Sequence, residues 1–359
     1  MKLYLIAGEA SGDLHGSNLL KELQKQHPGV QCRVWGGDLM QAAGGELVKH
    51  YRDLAFMGFW EVFKNLKTIL GNLRFCKNDI LAFKPDALVL IDYPGFNLRI
   101  AKWAKKQGIR VIYYISPQLW AWHSSRAKSI KSDVDKLLVI LPFEPAFYKK
   151  FDIQAEFVGH PLLDVIEPAK KQNASEKLIA LLPGSRIQEV ERILPVMLSV
   201  TPFFPEFRFV VAGAKSLPDS FYAPFLGGHP NVTLQKDNTY SILRLATAAL
   251  VKSGTSTLET ALIGTPQVVC YAGNALSYAI AKRVVSVPYI SLVNLILERP
   301  LIKELIQADL HTQNLREALN EILQPENVSA IQSGYEELRE KLGAGGASAR
   351  AARRILEDI

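Results

Sequence analysis

Three cysteines in 359 residues, Cys32, Cys76 and Cys270, are too few, too scattered and odd in number to build a disulfide framework. They fit no metal-binding spacing either, so the composition points to a reducing cytoplasm. Long hydrophobic runs are also missing. No stretch reaches the uninterrupted apolar length of a spanning helix, and the run Leu3–Ala7 is too short for the core of a signal peptide. A soluble or membrane-peripheral protein is therefore expected. No spacing of His, Asp and Glu suggests a metal, and no cofactor is expected; His123 and His160 read as loop or structural residues. Two common phosphate-binding fingerprints are absent as well. The Gly8–Gly12–Gly16 spacing does not fit G-x-G-x-x-G, and no glycine is followed by Lys-Ser or Lys-Thr at the offset of a Walker A loop.

What is present describes a globular α/β protein. Apolar residues make up 48% of the chain and charged ones 21%, which excludes a disordered segment, and the length suits two domains. The net charge of +7 favours an acidic partner: nucleic acid, anionic lipid or a phosphorylated substrate. Nucleic acid is the weakest of these, because the positive charge is dispersed and no recognition motif occurs.

Apolar runs that end in small or polar residues alternate with helical patterns. Leu3–Ala7, Asp86–Ile91, Arg110–Ile115 and Lys136–Leu141 read as one set of strands. Leu178–Leu182, Phe207–Ala212, Ala249–Lys252 and Gln267–Tyr271 read as a second. Unbroken runs fit strands buried on both faces, hence parallel sheets wrapped by helices. Helices are expected near Ser17–Gln26 and Leu98–Gln107. The polar stretch Glu167–Lys177 reads as a linker. The expected architecture is two doubly wound, Rossmann-like domains facing each other across a cleft, over residues 1–166 and 178–314. A helical segment, 315–359, is broken at Gly343–Gly346, so that the last helix can pack back on the first domain.

Candidate site residues cluster where strands end. After Leu3–Ala7 the chain reads Gly-Glu-Ala-Ser-Gly-Asp, placing Glu9, Ser11 and Asp13 in one turn before a helix. Such a loop suits a sugar-like ligand; equally, Ser11 or Asp13 can simply cap the helix. Asp92 ends the Asp86–Ile91 strand before Tyr93-Pro94-Gly95, which reads as a forced turn. A carboxylate there is a candidate general base, or an Asx-turn residue bracing the turn. In the second half, Pro183-Gly184-Ser185-Arg186 and Lys252-Ser253-Gly254-Thr255 each join a strand to a helix. Gly184, Ser185, Ser253, Gly254 and Thr255 expose backbone donors, Arg186 adds a fixed charge, and Glu259 can accept from ribose hydroxyls. Ser185-x-x-Gln188 and Ser256-x-x-Glu259 also match a capping box, which would make Glu259 a helix-start device. Together, in one domain, the two turns favour a nucleotide-diphosphate site. Segment 57–75 carries Phe59, Trp60, Phe63 and Leu66 beside Lys64, Lys67 and Arg74. That combination fits an interfacial membrane helix or an ordinary core stripe.

These motifs, in order, resemble those of lipid-A-disaccharide synthase, a bacterial glycosyltransferase family of the GT-B type. The resemblance runs through Gly8–Asp13, Met57-Gly58-Phe59, Ile91-Asp92, Tyr114-Ile115-Ser116-Pro117, Trp120-Ala121-Trp122, Leu141-Pro142-Phe143-Glu144, Gly159-His160-Pro161, Leu182–Arg186, Ser253-Gly254-Thr255 with Leu258-Glu259, and Ser291–Leu295. It implies inverting transfer of 2,3-diacylglucosamine from UDP-2,3-diacylglucosamine to 2,3-diacylglucosamine 1-phosphate, without a metal. The first domain would bind the acceptor and the second the UDP-sugar donor. The same resemblance implies that Asp92 is the base, Arg186 a phosphate contact, Glu259 a ribose contact and Asn294 a site residue, with Glu9 and Ser11 near the reacting sugars. Segment 57–75 then matches a membrane-associating region, and the protein is expected on the inner face of the cytoplasmic membrane, drawn to an anionic surface. Many members carry a second aspartate three residues after the first; here that position is Gly95. The alternative is another GT-B protein, a sugar-nucleotide epimerase or a transferase with a soluble acceptor. A second copy of the chain, a homodimer, is a further candidate partner.

Overall fold

A computed structural model describes residues 1–54, 66–121, 126–167, 177–274 and 287–359. The chain forms two compact units, one made of Met1–Asp164 with Ala344–Ile359 and the other of Val165–Gly343. Most of the expected linker lies outside the described residues, as do Phe59, Trp60, Phe63, Trp122 and His123.

The first unit is built on seven strands, β1 (Lys2–Ala7), β2 (Gln31–Gly36), β3 (Glu46–His50), β4 (Ala87–Ile91), β5 (Arg110–Tyr114), β6 (Lys136–Val139) and β7 (Ala155–Phe157). Their order across the sheet is β3-β2-β1-β4-β5-β6-β7, and the paired neighbours run parallel. Helices α1 (Ala10–Gln26), α2 (Asp38–Ala42), α3 (Leu66–Phe83), α4 (Pro94–Lys106), α5 (Ala127–Asp133) and α6 (Glu144–Lys149) connect them. Alternation along β1 shows why both faces are apolar. Leu3, Leu5 and Ala7 pack in one cluster with Leu19, Leu20 and Leu23 of α1. Tyr4 and Ile6 pack in the opposite cluster with Leu73, Cys76 and Ile80 of α3 and Phe96 and Ile100 of α4. The buried Tyr4 hydroxyl is satisfied, donating to Asp79 at 2.7 Å and accepting from Trp35 Nε1 at 2.8 Å.

The second unit repeats the plan with β8 (Leu178–Leu182), β9 (Arg208–Gly213), β10 (Val232–Lys236), β11 (Ala248–Lys252), β12 (Gln267–Tyr271) and β13 (Glu304–Ile306), in the order β10-β9-β8-β11-β12-β13. Its helices are α7 (Ile187–Leu198), α8 (Asp219–Leu226), α9 (Thr239–Leu245), α10 (Thr255–Ile263), α11 (Leu292–Leu297), α12 (Thr312–Ile322) and α13 (Pro325–Leu342). Five strands escape a reading by apolar runs. Edge strands β3 and β10 carry exposed polar residues, β7 and β13 are three residues long, and Arg33 interrupts β2, where it pairs with Asp79 at 2.9 Å.

The C-terminal helical segment divides at Gly343, in the glycine-rich break read from the sequence, and residues 315–342 stay with the second unit. Helix α13 stays with the second unit, where Tyr335 donates to the Thr265 carbonyl (3.2 Å) and accepts from Gln267 (3.2 Å). Only α14 (Ala347–Leu356) joins the first unit, burying Ala351, Ala352 and Ile355 in the α1 cluster. Its first turn has no cap of its own, because Gly346 stands at the N-cap. Asp164 supplies one from a distance, accepting from the amides of Gly346 (2.6 Å), Ala347 (3.1 Å) and Ser348 (2.9 Å). Asp358 then pairs bidentately with Arg110, at 2.6 and 2.8 Å. Asp164→Ala is expected to lower stability by about 1–2 kcal/mol, read as an earlier urea midpoint, with earlier proteolytic loss of α14.

Candidate active site

In each sheet the direction of winding reverses once, and the candidate residues stand at those reversals. In the first unit β1 leads outward to β2 and β4 leads the other way to β5, so the loops after β1 and β4 are neighbours that diverge. Gly8 follows β1. A β-carbon there would fall 2.3 Å from the ring of Tyr93, which follows β4, so only glycine lets the two loops meet. Glu9 is the half-buried N-cap of α1, and Ser11 is exposed on its first turn.

The turn after β4 is made differently from the sequence expectation. Pro94 and Gly95 are the first residues of α4, with proline in its favoured opening position. The bend itself falls on Asp92 and Tyr93, both left-handed, at φ 45° and 50°. Two such residues store roughly 1–3 kcal/mol of strain each. Buried neighbours hold them. The Asp92 carbonyl accepts from Tyr113 Oη and from Asn97 Nδ2, both at 2.7 Å, and the Tyr93 ring stacks on Phe96. Burial, then the negative charge of Glu9, push the Asp92 carboxyl up to about 6, against the pull of the Tyr93 amide.

Asp13 does something other than bind a ligand. It is buried, and its carboxylate accepts from the amides of Gly37 (2.7 Å), Met40 (3.0 Å) and Leu39 (3.1 Å), capping the short helix α2. Glu144 is a second buried carboxylate, at the ends of β5 and β6. It accepts from Ser116 Oγ (2.8 Å) and from the amides of Leu141 (2.9 Å) and Ile140 (3.2 Å), and burial pushes it up to about 7. His160 is buried, with Nδ1 accepting from Leu162, and burial lowers it to about 3, as suits a neutral structural histidine.

In the second unit the reversal lies between β8 and β11, which are paired neighbours. The turn after β8 leaves Ser185 and Arg186 exposed at the start of α7. The reach-back residue is Glu189, not Gln188: its Oε2 accepts from the Ser185 amide at 3.2 Å. Its Oε1 lies 2.9 Å from Lys252 Nζ and 3.6 Å from Arg186, and these cations hold Glu189 below the usual carboxylate range despite its burial. After β11, Gly254 is the N-cap of α10, with Gly254 and Thr255 exposed and no side chain capping the helix. Ser253 Oγ donates to the Ile290 carbonyl at 3.1 Å. Glu259 is not a capping-box residue. It accepts from Tyr240 Oη at 3.2 Å, and burial raises its pKa.

Asn294, like Asp13, serves the scaffold. It is buried, donates to the Ile302 carbonyl (2.8 Å) and Glu304 (2.9 Å), and accepts from the Ile302 amide (3.0 Å). Glu304 in turn accepts from the amides of Ile290 and Ser291, both at 3.0 Å, fixing the loop that Ser253 touches.

Comparison with known proteins identifies the family. Residues 3–356 match the model of the lipid-A-disaccharide synthetase family. The chain belongs to that family. It is 41% identical to the lipid-A-disaccharide synthase of Syntrophus aciditrophicus, over 97% of this chain and 95% of that one. It is 38% identical to the synthase of Trichlorobacter lovleyi, over 100% and 97%. A lipid-A-disaccharide synthase is a glycosyltransferase of lipid A biosynthesis, and the epimerase and soluble-acceptor alternatives are not favoured. Among solved structures, a UDP-GlcNAc 2-epimerase from Neisseria meningitidis bound to UDP-GlcNAc superposes with a TM-score of 0.69 at 15% identity, covering 99% of this chain and 100% of that one. A calicheamicin glycosyltransferase gives 0.62 at 18% identity, covering 99% and 97%. At those identities the likeness is one of fold, the GT-B fold.

Within the family's motifs, the geometry separates residues open to a ligand (Glu9, Ser11, Asp92, Arg186, Gly254, Thr255) from those spent on the scaffold (Asp13, Asn294). Sequence reasoning missed Asn97, Tyr113, Glu189, Tyr240 and Lys252. Lys252 alone carried a usable signal, as a charged residue ending an apolar strand. Asp13→Ala is expected to destabilise the fold by about 2 kcal/mol, from the orphaned amides of α2, while the folded variant keeps its KM for both substrates within twofold; thermal melting and steady-state kinetics check both.

Proposed function

We propose that this protein transfers 2,3-diacylglucosamine from UDP-2,3-diacylglucosamine to the 6-hydroxyl of 2,3-diacylglucosamine 1-phosphate, with inversion, giving the disaccharide 1-phosphate and UDP. The observation that carries the reading is the Asp92 carboxylate, fixed in a strained turn at the end of β4 beside Glu9 and raised to about 6. Such a carboxylate is ionised at neutral pH yet more basic than an ordinary aspartate. It suits accepting the proton of a hydroxyl as that oxygen attacks the anomeric carbon. The departing UDP gains charge as its bond to the sugar breaks. The open starts of α7 and α10, with Arg186, supply positive potential for it, and this supports catalysis without a metal. Glu259, oriented by Tyr240, is set to accept from the ribose hydroxyls.

Membrane association is part of the same proposal. The apolar stripe of segment 57–75 divides within α3: Ile69 and Leu73 pack into the first unit's core, whereas Leu70 is 55% and Phe75 49% exposed, beside the exposed Arg74. Leu66 opens that helix. Exposed apolar and basic groups on one helix support binding at an anionic leaflet on the cytoplasmic side, where diacylated substrates reside. Leu70→Ser with Phe75→Ser is expected to reduce co-sedimentation with phosphatidylglycerol vesicles without lowering the melting temperature.

The deciding experiment follows UDP release in detergent micelles containing EDTA, with and without the acceptor. Release is expected to require acceptor, to survive EDTA, and to fall by about 10²–10⁴ in Asp92→Asn. The acid limb of kcat/KM should bend near pH 6, falling tenfold per pH unit below it. Stability should move the opposite way. A carboxyl raised from 3.8 to about 6 in the fold lends stability below pH 3.8 that is lost as pH rises through 6. Removing the charge in Asp92→Asn is therefore expected to stabilise the protein at pH 8, by up to about 3 kcal/mol at ~1.4 kcal/mol per unit. Acceptor-independent release would overturn the transferase reading, and full activity in the variant would overturn the assignment of Asp92.

A further inference from the structure

Two cations stand where helix electrostatics disfavour them. Arg186 is the N-cap of α7, and Lys252 ends β11 two residues before Gly254, the N-cap of α10. Each helix presents the positive end of its dipole there, a location that favours acidic side chains and disfavours basic ones. Among the described residues one carboxylate, Glu189, offsets them, at 2.9 Å from Lys252 and 3.6 Å from Arg186. The local charge is thus two positive against one negative, added to two helix ends of positive sign. A group arrangement that breaks a local rule in this way is expected at a functional site and not in a purely structural ion pair.

The backbone leaves room for a ligand at the same place. Gly184, at φ 112°, lies where a β-carbon would fall 2.6 Å from Glu189 Oε2. Gly254 is exposed, and a β-carbon there would have nothing nearer than Lys252 Nζ, at 3.9 Å. The ammonium is therefore the protein group next to the open turn at the start of α10. Glu189 takes one backbone donor, Ser185 N–H, and both cations, the same types of partner that an anionic ligand would take.

We propose that Lys252 binds the diphosphate of the nucleotide donor together with Arg186, and that Glu189 is the internal counter-anion that holds both cations between the two turns until the diphosphate arrives. The inference rests on the reading of α7 and α10 as the donor site. A diphosphate carries more charge than one carboxylate and presents several acceptor oxygens, so it outcompetes Glu189 for Lys252. Glu189 then limits how tightly the product UDP is held, by repulsion at short range.

The test is the affinity of the full-length protein for UDP and for uridine, by isothermal titration, in wild type, Lys252→Met, Lys252→Arg, Arg186→Met and Glu189→Gln. Lys252→Met is expected to weaken UDP by about tenfold or more, the scale of one charge-assisted contact, and to leave uridine unchanged. Lys252→Arg should recover most of the loss, and Glu189→Gln should bind UDP at least as tightly as wild type. A merely structural lysine would move UDP and uridine together, which would overturn the proposal. So would an unchanged UDP-to-uridine ratio in Lys252→Met. Weaker UDP binding by Glu189→Gln would overturn the counter-anion role. If Arg186→Met also leaves the ratio unchanged, the donor-site reading itself fails; if only Lys252→Met does, the failure is confined to this inference.

Discussion

In a sheet of parallel strands every strand delivers its C-terminal end to one edge, and a right-handed crossover carries the chain away from there to one side or the other. Where the direction reverses, two adjacent loops part and leave backbone donors and side chains uncovered. Each unit of this protein has one such reversal, β1 against β4 and β8 against β11. Glu9 and Asp92 stand at the first, Arg186, Lys252 and the open start of α10 at the second. Neither set needed loops of unusual length. The placement follows from winding order and, in the first unit, from Gly8, where a β-carbon would meet the Tyr93 ring of the neighbouring turn.

The two reversals are electrostatic opposites. In the first unit burial, and then the negative charge of the nearby Glu9, resist ionisation of Asp92 and make it a stronger base. Tyr113 and Asn97 hold its strained turn from beneath, through the carbonyl, and leave the carboxylate available. In the second unit helix ends and cations add, with Glu189 as the sole nearby counter-charge among the described residues. One corner holds a carboxylate of raised pKa and the other a surplus of positive potential, the two features on which the proposed transfer rests. A glycosyl transfer needs both.

Scaffold carboxylates complicate any reading by motif. Asp13, Asp164 and Glu304 each accept from two or three backbone amides, fixing α2, α14 and the loop at Ile290–Ser291. Glu144 does the same for the loops after β5 and β6. These residues fall within or beside family motifs, and in sequence they look like the acids that face a substrate. Their two or three backbone-amide partners separate them from Glu9, Asp92 and Glu259.

The sequence by itself determined the fold class, the eight inner or long strands, the two site-bearing regions and the family. Unbroken apolar runs can only be strands covered on both faces, and small-residue turns at their ends are local features. It also supplied Asp92 and Glu259 as candidates, because each follows a strand or opens a helix in its own segment. Tertiary structure alone decided the rest. The short and polar strands β3, β7, β10 and β13 are held by pairing with neighbours, which leaves no apolar run to read. Asp13 and Asn294 face inward because their partners lie between 8 and 27 positions away in the chain. The glycine-rich break at Gly343–Gly346 was legible, but what each helix docks on was not: α13 meets Gln267 in the second unit and α14 meets Asp164 in the first. Lys252 and Glu189 meet across 63 residues because β8 and β11 are adjacent. Contacts of that kind are set by strand order, which no local pattern of residues encodes.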